Sequence, residues 1–374
     1  MSGTPHYADC FRETWIEARN AFCAAGARAG GALFRDTHPW AVGPAGEPLS
    51  IDLCRIGRAD APRALVVISG AHGLEGAAGS AAQIAWLKSG HAATLPEDVA
   101  VYFVHALNPF GFAHGTRTTE NNVDLNRNFL DFDAQLPGND PFKGLADALL
   151  PPRWDMGAIE AFRAAFDAFA QQHGESALFD ALARGQYSHP EHPTFGGHAP
   201  EWSNLTLRRL LHTHLAQAEM VGFIDWHTGL GDYGDTFFLC FNPPGGPLEA
   251  EAARWWGGER IFDQSPAGLS RPSYTGLVFY GAEEALPGRP FVGAVVEFGT
   301  RGPDVREALI LDTWLRFSGE PDPARRAVLE AHLRDVFVPA SGTWRQGAVA
   351  HALEITQSAI DGIATWTPET TRTH

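Results

Sequence analysis

Five short apolar runs, rich in Val, Ile and Phe and bounded by turn residues, alternate along this chain with stretches of helical spacing. They occupy residues 64–68 (ALVVI), 99–104 (VAVYFV), 221–224 (VGFI), 236–241 (TFFLCF) and 291–296 (FVGAVV). Runs without polar alternation need cover on both faces, which predicts a largely parallel central sheet. Residues 49–56 alternate as a strand does. Helical patterns lie at 76–88, 156–171, 201–219, 247–257, 303–317, 322–337 and 345–362, and an opening helix is marked by Phe11, Trp15, Ala18 and Phe22. The expected fold is therefore α/β, with a mixed, largely parallel central sheet flanked by helices. Residues 131–200 break the rhythm. Pro137, Pro141, Pro151, Pro152, Pro190 and Pro193 fall there with one helical pattern, so the stretch reads as an insertion or lid beside a cleft. No linker or repeat divides the 374 residues, and a single domain (1–374) ending in the helices of about 303–362 is expected.

Charge and cysteine usage remove several function classes. The net charge of −16 opposes phosphate backbones and anionic lipid surfaces, so neither nucleic acid nor membrane is an expected partner. Cys10, Cys23, Cys54 and Cys240 are far apart with no C-x-x-C, which argues against a disulfide framework or a cysteine zinc knuckle. Asp9, Glu13 and Glu17 stand where a signal peptide would carry its apolar core. No run approaches the ~18 apolar residues of a spanning helix. A cytoplasmic protein is the expectation.

The reactive residues gather by position. Strand 64–68 runs into Ser-Gly-Ala-His72-Gly-Leu-Glu75-Gly, strand 221–224 into Asp225-Trp226-His227, and strand 291–296 into Glu297. Strand 99–104 feeds a loop with Arg117 and then Asp124-Leu125-Asn126-Arg127. Ligands of open α/β sheets bind outside the carboxyl ends of the strands, so four segments aim at one place. With 16 His and 44 acidic residues, about two His/acid pairs at a spacing of three arise by chance, so His72-x-x-Glu75 alone is weak. Its context strengthens it: a buried strand before, a helix after, and Gly70, Gly73, Gly76 and Gly79 around it.

Two imidazoles and a carboxylate with an open fourth position are the ligand set of a hydrolytic zinc site, which makes His72, Glu75 and His227 candidate ligands of one Zn²⁺ per chain. Asp225, two residues before His227 on a strand, shares its face and is placed to hold the imidazole. Glu297, a carboxylate at the end of a dry run, is a candidate general base acting on zinc-bound water; pairing with Arg301 is the structural alternative. Arg117 and Arg127, two guanidiniums within eleven residues on a strand-end loop of an acidic chain, are candidates for holding a developing oxyanion or clamping a substrate carboxylate, and Asn126 would extend such a clamp.

The ordered set His72-x-x-Glu75, Arg117, Asn126-Arg127, His227 and Glu297 resembles the zinc carboxypeptidase superfamily, including its succinylglutamate desuccinylase and aspartoacylase branch. The phrases at 185–190 (GQYSHP), 202–204 (WSN) and 225–232 (DWHTGLGD) are similar to a bacterial branch of it. The resemblance implies zinc binding by His72, Glu75 and His227, Glu297 as the base, oxyanion stabilisation by Arg117 and a grip on the substrate carboxylate by Asn126 and Arg127; it adds a mobile tyrosine upstream of the base, for which Tyr274 is the candidate and Tyr280 the fallback. It implies a zinc-dependent amide hydrolase acting on a small peptide at its C-terminus or on an N-acyl amino acid. A binding protein that keeps the scaffold without turnover is the third reading, though it has no use for Glu297. A serine hydrolase would need Gly-x-Ser-x-Gly after a strand, and none is present.

Overall fold

The computed structural model describes residues 4–262, 265, 268–302 and 304–367. Strands β1 (Ala32–Val42), β2 (Pro48–Ile56), β3 (Arg63–Ser69), β4 (Val99–His105), β5 (Met220–Gly229), β6 (Thr236–Cys240) and β7 (Phe291–Gly299) form one sheet in the order β1-β2-β4-β3-β5-β7-β6. The four central strands, β4, β3, β5 and β7, run parallel. The flanking pairs β1·β2, β2·β4 and β6·β7 are antiparallel. Chain order reverses at β3, whose neighbours are β4 on one side and β5 on the other, and a crevice forms at such a switch point.

Helices cover both faces. In chain order they are α1 (Trp15–Arg28), α2 (Gly76–Lys88), α3 (Pro109–His114), α4 (Asp140–Lys143), α5 (Ala146–Leu149), α6 (Met156–His173), α7 (Glu175–Ala183), α8 (Trp202–His214), α9 (Pro247–Trp256), α10 (Gly258–Ile261), α11 (Val278–Glu284), α12 (Asp304–Phe317), α13 (Pro323–Phe337) and α14 (Gly342–Thr365). Along β3, Leu65 and Val67 join the core under α2 and α14, while Ala64, Val66 and Ile68 join the core under α8 and α11. This two-sided burial explains the unbroken apolar runs. Each fully buried Val, Ile or Phe contributes about 1.5–3 kcal/mol. A carboxylate or imidazole in such a strand therefore needs partners to persist. Among the described residues no helix is long and apolar enough to cross a membrane, and all four cysteines are unbridged.

Several features depart from the sequence pattern, among them the short helices α3, α10 and α11, which lie outside every helical stretch expected. β1 was not anticipated: at the sheet edge it pairs on one side only, so its burial alternates weakly and it carries Arg35, Asp36, His38 and Pro39. The helix expected over 201–219 stops at His214, because the backbone N–H groups of Glu219 and Met220 both turn to the carbonyl of Pro62 to start β5. The 131–200 stretch holds four helices, α4 to α7, where one was expected. Their short lengths, and the Gly174 break (φ 91°) between α6 and α7, blur the periodicity.

Candidate metal centre

His72 enters the site on a tight turn. Gly70 adopts φ 67° with Ala106 beside it, and a Cβ on Gly73 would lie 1.9 Å from the backbone of Gly111 in α3. Only glycine permits that approach. Glu75 follows in a short 3-10 turn that leads into α2. His227 and Glu297 are register partners on the parallel strands β5 and β7, so their side chains stand side by side.

The geometry converges on one point. His72 Nδ1 lies 2.8 Å from Glu75 Oε1 and 3.1 Å from His227 Nδ1. His227 Nδ1 lies 3.0 Å from Glu75 Oε2. The outer nitrogens are held by carboxylates: His72 Nε2 by Asp124 at 3.0 Å, and His227 Nε2 by Asp225 at 2.9 Å. An imidazole that donates its Nε2–H to an aspartate presents a lone pair at Nδ1. Two such lone pairs 3.1 Å apart, both facing a carboxylate, repel unless a cation or a proton lies between them. The edges of 2.8–3.1 Å are close to the ~3.3 Å edge of a tetrahedron with bonds of about 2.0–2.1 Å. One ligand atom from each of the three residues lies within 4.8 Å of the others, and it is the one such group among the described residues. The residues fit zinc by donor type, by convergence and by their outer carboxylates.

Electrostatics agree with that balance. For Glu75, burial acts to raise the carboxyl, but His72 and His227 overcome it and hold it well below the usual range. For His227, burial acts to lower the ring, and Asp225 and Glu75 outweigh it. Burial pushes Glu297 up to about 7, with His227 opposing and Glu75 adding. Its Oε2 accepts one long bond, 3.4 Å, from the Leu230 N–H. Arg301 instead pairs with Asp335, so the structural alternative for Glu297 does not occur.

Arg117 is half-buried against the ligand set, with Nη1 3.1 Å from Glu75 and Nη2 3.2 Å from Asp124. Arg127 also lines the cavity, yet three of its five N–H groups are spent on backbone carbonyls. Nε and Nη2 donate to Ala183 and Nη1 to Asn126. Asn126 Oδ1 accepts from the Val278 N–H, so its amide nitrogen is the part left for a ligand. The Arg127 guanidinium sits 5.0 Å over the ring of Tyr274, whose hydroxyl burial pushes up to about 12. Tyr274 lines the cavity. Tyr280 packs on Phe241 and is 36% exposed. The loop histidines form no second centre: His192 meets the Ala146 carbonyl and His198 that of Tyr187.

Two carboxylates have a place in the site that the sequence did not assign. Asp124, named there only as part of the loop before Asn126, carries His72 and Arg117 together. Asp312, mid-way along α12, accepts from the Arg117 N–H at 2.9 Å and from Thr116 Oγ1 at 3.1 Å, fixing the loop that carries Arg117. Nothing local marked it. Burial pushes Asp312 up to about 6 from 3.8. A raised carboxyl favours the folded state most below the unfolded value, and the advantage is lost as pH rises from about 4 through 6. The rise corresponds to about 3 kcal/mol. Asp312→Asn keeps an acceptor without the charge, so its stability relative to the wild type is expected to improve with pH. Urea unfolding at pH 5 and pH 8 should show the difference moving in the variant's favour by about 1 kcal/mol. A difference independent of pH would refute this.

The family described as "Protein of unknown function (DUF2817)" matches residues 11–351. No curated protein matches the chain. Among solved structures, the chain is similar to bovine thrombin-activatable fibrinolysis inhibitor in complex with tick carboxypeptidase inhibitor, at 10% identity and a TM-score of 0.52, covering 96% of this chain and 99% of that one. Carboxypeptidase A from Helicoverpa armigera matches at 15% identity and a TM-score of 0.43, over 87% of this chain and 74% of that one. Succinylglutamate desuccinylase from Chromobacterium violaceum matches at 13% identity and a TM-score of 0.36, over 88% and 76%. The first likeness bears out the expected zinc carboxypeptidase-like α/β fold.

Proposed function

We propose that this chain, which belongs to the DUF2817 family, is a zinc-dependent hydrolase of amide bonds. The observation that carries the reading is the meeting of two inward Nδ1 atoms and the Glu75 carboxylate, each imidazole backed by an aspartate, with Glu297 alongside. A binder would have no use for a poorly solvated carboxylate at that position.

Zinc held by His72, Glu75 and His227 would supply a Lewis acid and draw the pKa of water toward ~7. Glu297 takes the proton from the attacking water and passes it to the leaving nitrogen. Arg117 holds the oxyanion as charge develops, and its bonds to Asp124 and Glu75 keep the guanidinium in place beforehand. The substrate carboxylate meets the two remaining N–H groups of Arg127 and the amide of Asn126, with Tyr274 closing over them. Asp225 fixes His227, and so Asp225→Ala should weaken zinc binding by about 10–100-fold, as read by competition with a chromophoric chelator. Unchanged affinity would remove Asp225 from this role.

The test is zinc analysis of gently purified protein joined to a hydrolysis screen of C-terminal dipeptides and N-acyl amino acids, with and without chelator. One zinc per chain and chelator-sensitive cleavage are expected. Metal-free protein with full activity would overturn the proposal, and zinc-loaded protein inert on every amide would favour the binding reading.

A further inference from the structure

A cavity of about 720 Å³ opens from the metal centre. Its charged lining away from the centre includes an exposed mouth, where Arg163 pairs with Glu307 and Arg306 lies 3.9 Å from Glu175, together with Asp167 and Asp232. The rest of the wall is mainly apolar, with Phe162, Phe166, Leu178 and Leu182 from the 131–200 insertion and Leu309 and Ile310 from α12. Helix α7 gives this wall a direction. Its last residue, Ala183, accepts from Arg127, and its first, Glu175, stands at the mouth. Nine residues rising 1.5 Å each span about 12 Å. An insertion that only capped the core would close on itself, whereas this one leaves an apolar space joined to the reactive groups.

We propose that this chamber takes a large hydrocarbon group on the acyl side of the scissile amide. The preferred substrate is then an N-acyl amino acid with a medium or long acyl chain, its carboxylate at Arg127 and its chain running along α12 toward the mouth. This rests on the hydrolase reading above and adds the substrate class to it. The α12 wall starts beside the base and not beside Arg127: a Cβ on Gly229 would lie 3.8 Å from both Glu297 Oε2 and Val305, and Leu309 and Ile310 continue the lining from there. Burial of each methylene then adds to the binding of substrate.

The test uses N-acetyl-, N-hexanoyl- and N-decanoylglycine with the full zinc-loaded chain. Binding is measured by calorimetry on Glu297→Gln, and kcat/KM on the wild type. Both should improve by about three- to fourfold per added methylene until the chamber is filled. Leu309→Trp, which fills the space from α12, should flatten the chain-length dependence, and Leu182→Gln should do the same by polarity from the opposite wall, with folding of each variant checked by circular dichroism and zinc content. Equal binding of all three acyl glycines would overturn the proposal, even if hydrolysis is observed. So would a chain-length dependence that survives in both folded variants, or a preference for C-terminal dipeptides over every acyl glycine. Graded binding without any hydrolysis would uphold the chamber and sink the hydrolase reading instead.

Discussion

Glu297→Gln is expected to lower kcat by about 10²–10⁴-fold while zinc content stays at one per chain. The substitution keeps the shape and the acceptor for the Leu230 N–H, and it removes the group that takes the proton. Because Glu297 holds none of the inward ligand positions, metal affinity should not fall with activity. Parallel loss of zinc and turnover would mean that Glu297 is a fourth ligand and not the base. Full activity in the variant would remove the proposed mechanism outright. Folding should survive, since the amide is neutral and burial disfavours the charge it replaces.

The second large effect is expected at the ligand set. His227→Ala deletes one of the two imidazoles and leaves Asp225 buried without its partner, with one oxygen already unbonded. Zinc affinity should drop by more than the ~10–100-fold expected for losing an outer carboxylate, and hydrolysis should vanish. Stripping the wild type with a chelator should do the same reversibly, with activity returning on zinc addition. The melting temperature should fall on stripping, because a ligand bound only by the folded state stabilises it by mass action. A stripped protein with unchanged melting and unchanged activity would exclude a metal centre here. His227→Ala that retained one tightly held zinc would show that the cation is bound elsewhere.

Much of this was legible in the chain because of how parallel sheets bury residues. β3, β4, β5 and β7 are covered on both faces, and so they stand out as unbroken apolar runs whose first polar residue marks the carboxyl end. That is why His72, His227 and Glu297 could be placed at one rim from sequence. β1, half-exposed at an edge, lacks such a mark, and α7 is hidden among short helices of the insertion.

Sequence by itself determined the layering of the fold and which strand ends bear imidazoles and carboxylates, because periodicity and burial are local properties of consecutive residues. Tertiary structure alone decided that Asp124 stands behind His72, that Asp312 of α12 fixes the Arg117 loop across 195 residues, and that Arg127 spends three N–H groups on the backbone. It also decided that the insertion lines an apolar chamber. These are pairings between segments remote in the chain, and a partner's identity leaves no trace in the spacing of the residue that awaits it.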